Sequence, residues 1–314
     1  MKNKKKCVAL VLCFTLFAAM AIGSGSSDSG NKKDVVSSTE SGTNPANDPS
    51  TADTEAKSNT ENDANTASVP TIEEQVLIDT NGIKITAKEY LTDKIWGDGI
   101  KLLIENSSDT DYTVGCDALI VNDYMITDLF SSKVAAGKNA NETMYLSSSG
   151  LKAAGIESVG KVEMYFHASD AQYNMVFKNE YAEIHTSEFD NMDTTPNDAG
   201  TELYSADGIR IVGKTVDENS FWGSAILLYI ENNSGKSVGI NVDDMSINGF
   251  MITPYFSTTV YDGKKALEDI TIMSNQLEEN GIESIDNVEL KFHIYNSDTY
   301  ETIADTEPIT FSAK

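Results

Sequence analysis

Three cysteines and three histidines in 314 residues leave little material for metal or thiol chemistry. Cys7 and Cys13 fall in an N-terminal apolar segment, so a chain cut after that segment keeps only Cys116 and forms no internal disulfide. Cys116 stands opposite Val242 of an internal repeat and reads as a small core residue. Basic residues are also scarce, 23 Lys and Arg against 49 Asp and Glu, for a formal charge of −26. A nucleic-acid binder needs clustered cations to displace phosphate counterions, so that partner is excluded. Docking on anionic lipid is disfavoured for the same reason, and the charge is read as keeping an exported chain soluble. There is no Gly-x-Ser-x-Gly elbow, no Gly-rich phosphate loop opening a helix, and no His-x-His or Glu-x-x-His ligand pair. No catalytic residue and no cofactor are therefore assigned.

Long apolar runs are missing too. The longest, Cys7 to Ile22, has 16 residues, short of the roughly 20 that span a bilayer. Preceded by Lys2 and Lys4 to Lys6 and followed by small residues, it reads as a signal peptide over 1–23. Neither Cys7 nor Cys13 stands where a lipoprotein cysteine would, so any membrane link is confined to an N-terminal anchor. Residues 24–73 are Ser, Thr, Asn, Asp, Gly and Ala with almost no large apolar side chain, and are expected to form a disordered tether. The localisation implied is extracellular, secreted or associated with the cell envelope.

What the chain does have is a duplication. Trp96 to Ser108 (WGDGIKLLIENSS) returns as Trp222 to Ser234 (WGSAILLYIENNS), 126 positions later. The register holds without a gap from Gly82 to His167 and from Gly208 to His293, with about 40% of positions identical. Two domains follow: 74–187 and 201–314, joined by a linker at 188–200. Ile83, Ile85 and Ala87 alternate with Lys84, Thr86 and Lys88; Ile100, Leu102 and Ile104, then Val162, Met164 and Phe166, repeat that period of two. Seven or eight short strands per copy, with turn signals every 8 to 12 residues, predict an all-β chain of two tandem immunoglobulin-like antiparallel sandwiches. Each carries one short helix, with Ser148 as N-cap, Leu151 buried and Gly155 beyond its end; Ser274, Leu277 and Gly281 repeat them.

The Ile-x-Ile opening strand, a strand ending Glu-Asn-x-Ser, the Gly-Lys turn and the closing Val-Glu-x-x-Phe strand resemble a known group. These are immunoglobulin-like domains of unknown function in secreted proteins and lipoproteins of Gram-positive bacteria, similar to the mycobacterial immunoprotective extracellular antigen. The resemblance covers both repeats and implies an extracellular, non-enzymatic sandwich; it brings no functional residues.

Candidate sites come from polar and aromatic residues that recur. Trp96 and Trp222 each precede Gly in a turn; an exposed aromatic there could stack on sugar or grip a peptide, with Tyr90 or Tyr229 contributing. The competing and favoured expectation is a Trp that plugs the end of the core. Asp117 and Asp243, with Asp244, are candidate calcium ligands, although the contiguous calcium loop is absent and Asn122 and Asn248 read as turn residues. Glu163 and His167, repeated as Glu289 and His293, are expected on a solvated strand face, about 13 Å apart within each pair and too far to share a metal. His185 has no counterpart. The function expected is a spacer or interaction protein whose partner is an extracellular protein or glycan. Carbohydrate or peptide binding by exposed aromatics, and a metal-dependent hydrolase, are the alternatives.

Overall fold

The computed structural model describes residues 32–37, 69–126 and 130–313; the expected signal peptide and most of the expected tether lie outside them. The strands are β1 (Lys32–Ser37), β2 (Gln75–Thr80), β3 (Ile83–Asp93), β4 (Gly97–Asn106), β5 (Tyr112–Val121), β6 (Tyr124–Ile126), β7 (Ser131–Val134) and β8 (Asn139–Tyr145). Helix α1 (Ser148–Ala154), β9 (Lys161–Ser169) and β10 (Met175–His185) complete the first unit. The second unit holds β11 (Thr201–Ala206), β12 (Ile209–Ser220), β13 (Gly223–Asn232), β14 (Val238–Ile247), β15 (Phe250–Met251), β16 (Ser257–Val260) and β17 (Lys264–Met273). It closes with helix α2 (Ser274–Glu279), β18 (Asn287–Asn296), β19 (Thr302–Asp305) and β20 (Ile309–Ala313).

The fold is all-β: immunoglobulin-like antiparallel sandwiches, each with a short helix. In the first, β2-β3-β4-β8 faces a sheet of β10, β9, β5 and β6, with β7 on β5. In the second, β11-β12-β13-β17 faces β20-β18-β14, with β15, β16 and β19 attached. The alternation read from the sequence sets the cores. Ile83, Ile85, Ala87, Ile100, Leu102 and Ile104 are wholly buried in one, with Val162, Met164 and Phe166 facing them. Ile211, Ile226, Leu228, Ile230, Val288 and Leu290 are their equivalents in the other. Each such aliphatic side chain contributes about 1.5–3 kcal/mol by leaving water.

The repeated Glu-Asn-x-Ser is a structural clamp. Asn106, 2% exposed, donates from Nδ2 to the carbonyls of Thr110 and Val134 and accepts at Oδ1 from Ser108 N–H and Oγ. Asn232, fully buried, makes the same four bonds to Lys236, Val260 and Ser234. Asn122 and Asn248 are turn residues in the left-handed region, with φ of 48° and 50°. Each side chain ties its turn to the start of the β9 or β18 strand.

Several expectations are corrected. The stretch 24–73 is not wholly a tether, because residues 32–37 form β1, which is inserted in the second unit. Lys32 to Asp34 pair with Asp217 to Thr215 of β12, and Val35 to Ser37 pair with Ala313 to Phe311 of β20. The strand thus crosses from one sheet to the other and closes the open side of the sandwich. Val35 is 2% exposed. A side chain on Gly213 would place its Cβ 2.6 Å from Val35 Cγ1, so glycine is what admits the strand. The helix N-caps are shifted by one residue, whereas Gly155 closes the first helix as expected. Ser147, not Ser148, accepts from Gly150 N–H, and Met273 occupies the second N-cap while Ser274 bonds to the Trp222 carbonyl. Cys116 is only partly buried, on a β-bulge beside Ala118.

The units meet edge to edge. β6 pairs in parallel with the start of β17, Tyr124 against Lys265 and Met125 against Ala266. Val212 and Tyr229 of the second unit complete the first apolar cluster, and Met125 of the first unit packs on the second.

Candidate functional site

Each unit carries the same end. The β3–β4 and β12–β13 hairpins turn at Ile95-Trp96-Gly97 and Phe221-Trp222-Gly223, and the apolar residues of those turns point to solvent. Ile95 and Phe221 are each 84% exposed, Trp96 and Trp222 59% and 58%. The expected core-plugging Trp is not what forms. The glycine explains why: Gly97 has φ +80° and Gly223 φ +144°. A Cβ would lie 2.1 Å from Ser148 Oγ in one and 2.3 Å from the Ile272 carbonyl in the other. The turn is pressed backbone-first against the chain around the helix start, which leaves the preceding Trp no route inward. Asp93 holds the first tip by accepting from the Ile95 and Trp96 amides, which lower its pKa.

Beside each tip lies a cleft. In the second unit it has a volume of about 430 Å³ and is lined by Glu218, Gly223, Leu277, Glu278, Ile282 and Glu283, among others. In the first, about 410 Å³ is enclosed by Gly97, Asp98, Leu151, Lys152, Ile156 and Glu157, with Ser148 and Gly155. Both take apolar lining from the helix and the turn after it; the second unit's cleft adds Glu218, Glu278 and Glu283, with Glu218 paired to Lys33, and the first unit's adds Asp98 and Glu157 beside Lys152. The aromatic pairs at the tips are not flat platforms. Trp96 and Tyr145 rings are inclined at 40°, and Phe221 and Trp222 at 89°.

The other aromatic candidates do not join the tips. Tyr90 is 8% exposed in the first core, where burial and the nearby Asp98 carboxylate raise its pKa. Tyr229 is fully buried at the contact between units, under the Arg210 guanidinium, and burial raises its pKa. Neither can touch a ligand stacked on Trp96 or Trp222.

The calcium candidates lie in two separate places, and Asp117 and Asp244 are engaged by other side chains. Asp117 lies 2.7 Å from His167 Nδ1 and accepts from the Asn179 amide. Burial favours its neutral form, but these bonds outweigh burial and leave its pKa below the usual carboxylate value. Asp244 pairs with Lys291 at 2.8 Å, and Asp243 sits beside it on the bulge of β14. Among the described residues no three His, Cys, Asp or Glu side chains gather as a metal site. His293 and His185 are each 2.6 Å from a carboxylate, Asp305 and Glu183.

Glu163 departs from the solvated strand face expected of it. It is 4% exposed, whereas its repeat equivalent Glu289 is exposed. Lys264 of the second unit reaches it at 2.9 and 2.6 Å and reaches Asp123 at 2.8 Å. Lys161 bonds to Asp123 at 2.7 Å and pairs with Glu163 at 3.3 Å, so two ammonium groups interleave with two carboxylates. Burial works against the Lys264 charge, but Asp123 and Glu163 outweigh it and raise its pKa; Lys161 follows the same pattern. Burial also opposes the Asp123 carboxylate, and the two lysines still hold its pKa low. Tyr165, Tyr181 and Tyr261 wall the cluster, with Tyr165 in the middle, its ring centroid 5.2 Å from that of Tyr181 and 4.9 Å from that of Tyr261. Burial, then Asp117, pushes the Tyr261 hydroxyl up to about 12. This joint has no motif in the sequence; its one trace is that Lys161, Asp123 and Tyr165 are replaced by Asn287, Gly249 and Lys291 in the other copy.

No known family model matches the chain. No curated protein matches it either. Several solved structures show remote likenesses. A Salmonella enterica SafA pilin in complex with the SafB chaperone is 11% identical, covering 68% of this chain and 88% of that one, with a TM-score of 0.21. The CsuC–CsuE chaperone–tip adhesion subunit complex of Acinetobacter baumannii pili is 14% identical over 68% and 90%, at 0.20. A red sea bream transglutaminase is 10% identical over 72% of this chain and 29% of its own, at 0.17. Likenesses at these scores carry no argument about what the chain does.

Proposed function

We propose that this chain is a non-enzymatic extracellular or envelope-associated interaction protein, two sandwiches that hold a protein partner through their hairpin tips. The observation that supports this reading is the recurrence of one arrangement: in both units an apolar dipeptide stands out in water beside a cleft of about 400 Å³ whose lining carries acidic side chains. Solvent-exposed Trp beside Ile or Phe costs free energy that a partner's apolar surface recovers, and Trp is prominent among binding hot spots. These acidic side chains and the charge of −26 favour a partner segment that combines basic with apolar residues. Two copies in one chain add avidity for a repeated or extended partner. Export is supported by the sequence of residues 1–23, and the resemblance to secreted Gram-positive sandwiches agrees with it. The inclined ring pairs favour a pocket-filling wedge over a flat sugar-stacking platform.

The test is binding of the full chain to arrays of basic-apolar peptides, glycans and envelope fractions, alongside Trp96→Ser, Trp222→Ser and the double variant. The expected result is peptide binding lowered about tenfold or more by each single change and abolished in the double variant. Equal binding by wild type and double variant, binding to glycans alone, or turnover of a substrate overturns the reading.

A further inference from the structure

The joint between the units has a socket and a plug, and the duplication supplies a second copy of each. The plug is β6 with Glu163, and the socket is the start of β17 with Lys264. Shifted by the repeat length, the plug becomes Phe250, Met251 and Glu289, and the socket becomes Lys138, Asn139 and Ala140. Both are left over. β15 ends one strand path and β8 ends the four-stranded sheet, so each presents an open edge among the described residues. Phe250 and Met251 are 47% and 68% exposed, where Tyr124 is 4% exposed at the joint. Glu289 and Lys138 are both exposed. In the joint, the Lys265 amide donates outward to the Asp123 carbonyl at 2.9 Å. Asn139 stands against Glu105 in β4 as Lys265 stands against Glu231 in β13, so its amide also points out from the sheet edge.

We infer that a second copy of this chain occupies these edges: β15 of one molecule adds in parallel to the start of β8 of the next, with Glu289 meeting Lys138 across the contact. The charges are complementary, and Leu103 and Ala140 stand where Tyr229 and Ala266 receive the plug inside the chain. Because plug and socket are different surfaces, the contact is head-to-tail and does not close at two molecules. It is weaker than the internal joint. Gly249 and Asn287 replace Asp123 and Lys161, leaving one exposed ion pair in place of the four-group cluster, and the net charge opposes association. The hairpin tips take no part, so this association can fail while the proposed function stands.

The experiment is sedimentation velocity of the full chain over a concentration series at moderate ionic strength. The mass is expected to grow past that of a dimer. Met251→Asp spoils the plug and Asn139→Pro removes the outward amide, and each is expected to raise the half-association concentration about tenfold. Mixed together, these two variants retain one good plug and one good socket and are expected to stop at a dimer. Lys138→Glu and Glu289→Lys, both at exposed positions and checked by circular dichroism, each weaken association, and the double charge swap restores it. A chain that stays monomeric at every concentration, a mass that stops at two for the wild type, or a swap without rescue overturns the inference.

Discussion

Replacing Glu163 by Gln tests whether the two units are held by the buried charge cluster. Gln keeps the shape and one acceptor oxygen but turns an NH2 group toward Lys264 and removes the charge. Wild-type Glu163 meets Lys264 Nζ at 2.6 Å. With an effective dielectric of about 20, that contact is a gross attraction of about 6 kcal/mol. Desolvation of the carboxylate cancels most of it, and breaking a buried pair costs about 3–5 kcal/mol when the remaining charge is stranded. Lys264 is not stranded, since Asp123 remains at 2.8 Å. The net loss is therefore about 2 kcal/mol. The same reasoning gives a similar loss for Lys264→Gln, where two carboxylates face Lys161 alone. The double variant returns the cluster to one cation and one anion, so its cost is expected to fall short of the sum by about 1 kcal/mol or more. Urea titration followed by near-ultraviolet dichroism suits the question, because Tyr165, Tyr181 and Tyr261 surround the cluster while both Trp are outside it. A loss under about 0.5 kcal/mol for Glu163→Gln, or strict additivity in the double variant, would refute the reasoning.

The chain's two Trp are both more than half exposed, so acrylamide should quench their emission almost as well in the folded as in the unfolded chain; a strongly protected fraction contradicts the tip geometry. Val35→Asp places a charge at a site 2% exposed and should cost about 3 kcal/mol or release β1. Hydrogen exchange locates the effect: the amides at 215–217 and 311–313 should lose protection while those of β3 and β4 keep theirs. Asn232→Ala removes four bonds at a fully buried position and should cost about 2–4 kcal/mol in thermal or urea unfolding with partner binding unchanged. Asp123→Asn carries a pH signature. The folded pKa of Asp123 lies below its ordinary value of 3.8, so its stabilisation is present above that value and is lost as pH falls through the depressed one. The gap between wild type and Asp123→Asn should thus be steady near neutrality and close below about pH 4; a gap that widens in acid contradicts the assignment.

Local pattern carried the fold. Ile83, Ile85, Ile100, Leu102 and Ile104 alternate in sequence and are buried together, and the duplication made each strand legible twice. What the sequence hid depends on distance along the chain. β1 offers only Val35 and Val36 amid Lys, Asp and Ser, and it is a strand because a seam between β12 and β20, some 180 to 280 positions away, needs one. Glu163 sits on a face that is solvated in the other copy, and it is buried by Lys264, 101 positions on, together with Lys161 and Tyr181. The tips were hidden for another reason. Trp is equally at home in a core or at a contact, and what decides is the close approach of Gly97 and Gly223 to the backbone and side chains around the helix start, which no pattern of apolar residues encodes.

The insertion of β1 into the second unit also sets the order in which the chain bears load. Tension applied on the N-terminal side of Lys32 enters the ladder that β1 forms with β12 and β20, and passes from there to the Phe221-Trp222 tip. The first sandwich lies outside that path although it comes earlier in the sequence. A pull between the N-terminus and a partner gripped at the second tip loads β1 at its Lys32 end, which lies on the tip side of β12, so its hydrogen bonds open one after another from Lys32 onward, and the first unit feels the load only after that strand has come away. The molecule thus has a mechanical sequence that inverts its covalent one.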